Sequence, residues 1–156
     1  MHAIRKPSTL FLSALLVLGG AHAKQPYDYA NPLIGTGGEG HTYPGATVPF
    51  GLVQLSPDTK NGVFNGNFTE CCYAWAAGYR YEDSVILGFS HTHFSGTGHS
   101  DLGDILLMPY SGETKLEPGY PERPFSGYRS RFSHKDERAE PGYYAVRLQD
   151  LSLIHI

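Results

Sequence analysis

The stretch Val85-Ile-Leu-Gly-Phe-Ser-His-Thr-His-Phe-Ser-Gly-Thr-Gly-His-Ser-Asp-Leu-Gly-Asp-Ile-Leu-Leu-Met108 sets two short apolar runs on either side of a polar, glycine-rich loop. Val85 to Phe89 and Ile105 to Met108 are apolar on both faces, which predicts strands placed centrally in a sheet. The loop between them carries His91, His93, His99, Asp101 and Asp104 among glycines, more chemistry than a strand connection needs. Such a composition predicts a backbone held close to a polar ligand.

Periodicity outward from this stretch is two rather than 3.6. Tyr144, Val146 and Leu148 alternate with Ala145, Arg147 and Gln149 after the turn signal Pro141-Gly142, and Tyr128, Ser130 and Phe132 alternate after Gly127. Both read as half-buried antiparallel strands. Phe50 to Leu55, closed by Ser56-Pro57-Asp58, reads as another. No window after residue 24 shows an amphipathic helix with caps. The fold class expected is all-β, an incomplete antiparallel β-sandwich with ligand-sized loops.

The N-terminus has a different composition. Arg5 and Lys6 precede the apolar run Leu10 to Gly20, and Ala21-His22-Ala23 gives a small-x-small cleavage pattern. Residues 1–23 are therefore expected to be an export signal, too short in its apolar part for a stable membrane span. Residues 24–150 are expected to form the partial β-domain. Leu151-Ser-Leu-Ile-His-Ile156 resembles the translation of a sequencing-library adapter and is set apart as an artefact.

With 12 Lys and Arg against 15 Asp and Glu, the chain has a formal net charge of −3 and no basic patch beside its aromatics, so nucleic acid is not an expected partner. Cys71 and Cys72 are adjacent, without a C-x-x-C spacing; free thiols and a bridge to a distant partner both stay open. Asn67-Phe68-Thr69 fits a glycosylation sequon.

Several motifs admit more than one chemistry. Gly35-Thr-Gly-Gly-Glu-Gly40 lacks the Lys-Ser/Thr of a phosphate loop and precedes no helix, so it predicts a tight turn, either beside a ligand or neighbouring domain or as a simple structural turn. On a strand His91 and His93 would share a face, as two ligands of one ion must, with Asp101 or Asp104 completing the set. The competing reading has these histidines bonding backbone and hydroxyl groups across a bent loop. Glu39, Glu70, Glu82, Asp83, Asp101 and Asp104 are available carboxylates, but their sequence spacing reveals no acid–base pair at glycosidase separation. Trp75, the one tryptophan, could pack in the core or present its face to the C–H side of a sugar ring.

Together these motifs resemble the N-terminal domain of glycoside hydrolase family 92, a family of exo-acting α-mannosidases. The resemblance is carried by Asn31-Pro-Leu-Ile-Gly-Thr36, Thr42-Tyr-Pro-Gly-Ala46, Pro49-Phe-Gly-Leu-Val-Gln-Leu-Ser-Pro-Asp58, Gly78-Tyr79, Gly88-Phe-Ser-His-Thr-His93, Ser95-Gly-Thr-Gly98, Asp101, Gly103-Asp-Ile105, Phe132-Ser-His134 and Pro141-Gly-Tyr-Tyr144. It implies a galactose-mutarotase-like sandwich packed on an (α/α)6 catalytic barrel that is missing from this chain. It further implies calcium-dependent, inverting removal of terminal α-linked mannose from glycans in an exported protein. Catalytic carboxylates and most calcium ligands are expected in the missing barrel, so no catalytic or metal residue is assigned here. Trp75 is the leading substrate-binding candidate, and Gly37, Gly38, His41, His91 and His93 are expected to shape or line the pocket. The alternative is a non-catalytic carbohydrate-binding module.

Overall fold

A computed structural model describes residues 23–47, 50–60, 73–99, 102–120, 123, 126–149 and 154–155. Residues 1–22 of the expected export signal, Asn67, Glu70, Cys71, Cys72 and Asp101 lie outside the described residues. A 3-10 helix at Pro26–Tyr29 precedes five strands: β1 (Ser56–Thr59), β2 (Val85–Ser90), β3 (Ser130–Glu140), β4 (Tyr143–Leu148) and β5 (Ile154–His155). They form one sheet in the order β1-β2-β3-β4-β5, with every neighbour antiparallel. The all-β, antiparallel class expected from the two-residue periodicity is the one observed.

Pro141 and Gly142 make the two-residue turn between β3 and β4, with Glu140 opposite Tyr143. Proline supplies the fixed negative φ of the first turn position, and Gly142, at φ 74°, supplies the positive φ of the second. Further down the hairpin the register breaks. Phe132 pairs with Leu148 and Glu137 with Val146, so five steps along β3 match two along β4. This bulge turns the Glu137 side chain inward from the polar run Ser133 to Arg138.

The core gathers Tyr79, Ile86, Phe89, Phe132, Tyr144, Val146 and Leu148, with Leu33, Tyr43 and Leu55 packed against it. Each such side chain contributes about 1.5–3 kcal/mol on full burial. Leu33 and Tyr43 bracket the glycine-rich segment, so the core also anchors the loop that carries Gly37, Gly38 and His41. The β2–β3 ladder is short, with Val85 opposite Arg131 and Ile86 opposite Ser130.

Two apolar runs expected as strands take other forms. In Phe50 to Leu55, only Leu55 makes a bridge, to Ala46, and the strand begins at Ser56. Ile105 to Met108 bridges β2 only through Leu107 and Phe89, and its first three residues are exposed rather than central. The described residues provide no second layer to cover these side chains, and a strand without burial has little to hold it.

Candidate functional site

Asn31-Pro-Leu-Ile-Gly-Thr36 folds as a pair of tight turns. The Asn31 side chain accepts from the Leu33 amide at 3.0 Å, and the Thr36 hydroxyl donates to the Leu33 carbonyl at 2.8 Å. Thr42 closes the loop by donating its hydroxyl to the Ile34 carbonyl at 2.9 Å. Two bonds then fix the loop to the 81–82 turn. The Tyr81 amide donates to the Thr36 carbonyl at 2.9 Å, and the Gly38 amide donates to a Glu82 oxygen at 2.9 Å. The Gly38 amide is the main reason the Glu82 carboxyl titrates below its usual range; Glu82's own amide and Arg80 add to the effect.

His41 lies at the end of this loop at φ 52°, buried, with its carbonyl accepting from the Gly96 amide at 2.6 Å. Its ring meets Tyr73 edge-on, centroids 4.7 Å apart, and its Nε2 is buried without a hydrogen-bond partner. The 35–42 and 93–96 loops are thus joined directly, and Tyr73 is the aromatic against them.

His93 is a brace. Its Nδ1 is 2.7 Å from the Gln54 carbonyl, which only accepts, so Nδ1 carries a hydrogen. Its Nε2 is 2.9 Å from the Ser90 hydroxyl and 3.4 Å from Asp58. Ser90 donates both its amide and its hydroxyl to the other Asp58 oxygen, at 3.0 and 2.6 Å. The trio has the residue types of a hydrolytic triad but not its geometry. The aspartate binds the serine instead of orienting the far imidazole nitrogen, and Ser90 is fully buried. The arrangement ties β1, the end of β2 and the following loop into one unit, with the Tyr43 ring 5.1 Å from the imidazole.

His91 faces elsewhere. Its Nδ1 is 3.0 Å from the Ile105 carbonyl. β2 ends at Ser90, so the alternation that would place His91 and His93 on one face does not extend to them. Trp75, half-buried, donates its indole N–H to buried Asp83 at 2.5 Å, and Arg80 and Lys60 approach its ring to 5.5 and 5.6 Å. Gly37, Gly38, His41 and His93 are therefore brought together through shared loops. Trp75 joins them through backbone, by way of Gly78, whose amide donates to its carbonyl at 2.9 Å.

Calcium takes six to eight oxygen ligands. Among the described residues no three His, Cys, Asp or Glu side chains gather about one point. Asp58, Glu82, Asp83 and Glu137 are each spent on protein partners. These residues do not fit the ion, and no step is derived through it in this chain.

A second buried cluster escaped sequence reasoning because its acid lies in a charged run. Glu137, with its side chain 1% exposed, accepts from Tyr79 at 2.8 Å and Tyr144 at 2.6 Å, and lies 2.6 Å from His134 Nδ1. His134 stacks on Tyr81 with centroids 4.1 Å apart. Burial, then the Glu137 charge and hydrogen bond, push both phenols far above their usual value. Tyr73 and Glu137 had no motif to reveal them, and Asp58 and Ser90 stood in motifs that gave no hint of their pairing; each matters through a contact distant in sequence.

A family model described as the glycosyl hydrolase family 92 N-terminal domain matches residues 29–154. The chain belongs to this family and supplies its N-terminal domain. It is 50% identical to a family GH92 α-mannosidase from Bacteroides thetaiotaomicron, with a TM-score of 0.72 over 83% of this chain and 16% of that one. The same similarity holds for that enzyme solved in complex with mannoimidazole. A family GH92 inverting mannosidase from the same organism is 29% identical, with a TM-score of 0.51 over 81% of this chain and 16% of that one. An uncharacterized secreted glycosidase of Arthroderma benhamiae is 29% identical over 94% of this chain and 18% of its own length. The chain thus spans less than a fifth of the relatives it matches. Among the described residues no helix is long and apolar enough to cross a membrane.

Proposed function

We propose that this chain is the pocket-wall part of an exported exo-acting α-mannosidase that removes terminal α-linked mannose from glycans. Hydrolysis is calcium-dependent and inverting, with the acid, the base and the calcium ligands on an (α/α)6 barrel elsewhere in the full protein. The observation that carries this reading is the family match across residues 29–154, which includes the interlocked loops around His41 and His93. Similarity to a mannosidase solved with mannoimidazole supports mannose as the sugar, and similarity to a glycosidase described as secreted supports export. Residues 1–23 serve as the export signal and residues 24–150 as the domain. The Gly37-Gly38-His41 loop and His91 face the sugar side, His93 holds them in register, and Trp75 offers its ring as an apolar platform.

The test is mannose release from α-mannosides by the complete gene product. Turnover is expected, together with its loss in chelator and recovery with added calcium; no mannose release refutes the activity, and full activity in chelator refutes the metal. Trp75→Ala in the complete protein is expected to lower kcat/KM for mannosides about tenfold or more, as loss of an aromatic platform would. Trp75→Phe keeps a ring and should recover part of it. Unchanged kinetics in Trp75→Ala would return Trp75 to a purely structural role beside Asp83.

A further inference from the structure

The extension of β2 beyond its last paired residues is flanked by two exposed apolar segments. On the β1 side, the Gln54 amide donates to the His91 carbonyl at 2.8 Å, and the preceding residues Phe50, Leu52 and Val53 are 89%, 86% and 51% exposed. On the other side, Phe89 and Leu107 exchange two backbone bonds of 2.8 and 3.0 Å, and the Gly103 amide donates to the Thr92 carbonyl at 2.8 Å. Leu102, Ile105, Leu106 and Leu107 all project to the surface there. Solvent gives no reason to present this much aliphatic and aromatic surface at one end of a sheet.

The backbone makes a second, independent point. Leu102 has φ 71° and Ile105 has φ 54°. A β-branched residue at positive φ is costly, and such strain persists only where surrounding structure repays it. Nothing among the described residues does so at Ile105, which is 70% exposed while its carbonyl holds His91. The matched solved relatives are about six times longer than the matched region, since it covers 16% of each.

We infer that Phe50–Val53 and Leu102–Leu107 form the seat on which the remainder of the same polypeptide docks through an apolar face, and that this docking fixes His91 by clamping Ile105. The inference rests on the reading of the chain as part of a longer enzyme. It adds the location of the contact and its link to the pocket: Ile105 is buried by the docked partner on its side chain and bonded to His91 through its carbonyl.

The complete gene product provides the test, by carbene footprinting and thermal unfolding. Footprinting of the unaltered protein is expected to label Phe50, Leu52, Ile105 and Leu106 several-fold less than Leu116, which is 85% exposed and belongs to neither segment. Equal labelling overturns the proposal, as does protection that appears only on dimerisation at high concentration. Ile105→Gly separates docking from local strain. Glycine relieves the positive φ, so a free Ile105 predicts an unchanged or raised midpoint, whereas a docked one predicts a lower midpoint and renewed labelling of Leu52. Mannose release measured on the same samples keeps the two readings apart: protection without activity sinks the activity alone, and activity with an unprotected seat sinks the docking alone.

Discussion

Glu137→Ala is expected to lower stability by about 3–5 kcal/mol, because it removes the acceptor on which two buried phenols and His134 converge. Tyr79 and Tyr144 are 2% and 0% exposed, so neither hydroxyl can turn to water instead. Chemical denaturation measures the loss. Glu137→Gln keeps the volume and one acceptor oxygen and should cost less, about 1–2 kcal/mol. A loss below 1 kcal/mol in Glu137→Ala would mean that the tyrosines find other partners. The same cluster sets an alkaline limit. Both phenols titrate far above their usual value near 10.0, so in that range the native chain keeps protons that the unfolded chain has released. Their stabilisation is complete below that value and declines as the pH rises beyond it. The decline should flatten in the Tyr79→Phe, Tyr144→Phe double variant.

Gly78→Ala should be comparably damaging, about 2–4 kcal/mol. Gly78 has φ 81°, and a Cβ there would strike Asp58 Oδ1 and approach the His93 ring to 2.9 Å. The methyl group would therefore push on the brace that joins β1 to the loop after β2. The Gly78 carbonyl also accepts from the Thr59 amide at 2.9 Å, so the backbone has little room to move away. Lower stability with altered kinetics in the complete protein is the expected outcome. Wild-type values in both would show that the brace yields without cost.

The hairpin was legible because its signals are local. Pro141-Gly142 dictates the turn, and Tyr144, Val146 and Leu148 place their side chains in the core. Val85 to Phe89 was legible because a strand buried on both faces tolerates an unbroken apolar run. What stayed hidden depends on distant partners. Ser133 to Glu140 shows no apolar alternation, yet most of β3 is built from it, because hairpin bonding needs no apolar face and the bulge sends one acid inward. The apolar stretches Phe50 to Leu55 and Ile105 to Met108 suggested buried strands, but apolarity states only that a surface is to be covered, not by which segment. In the site, the alternation that would set His91 and His93 on one face stops one residue before them, and both bond backbone carbonyls across the bent loop instead. Tyr73 rather than Trp75 meets His41, since the turn through Trp75 directs the indole towards Asp83.

The brief ladder between β2 and β3 makes the sheet two leaves on a narrow spine. One leaf bears the loops around His41, His91 and His93, and the other is the long hairpin. Glu137 reaches from the hairpin to Tyr79, beside β1, and so acts as a clasp across the spine. The clasp ties the hairpin to the loop-bearing leaf, so that a change in the hairpin core is passed on to the loops around His41 and His93.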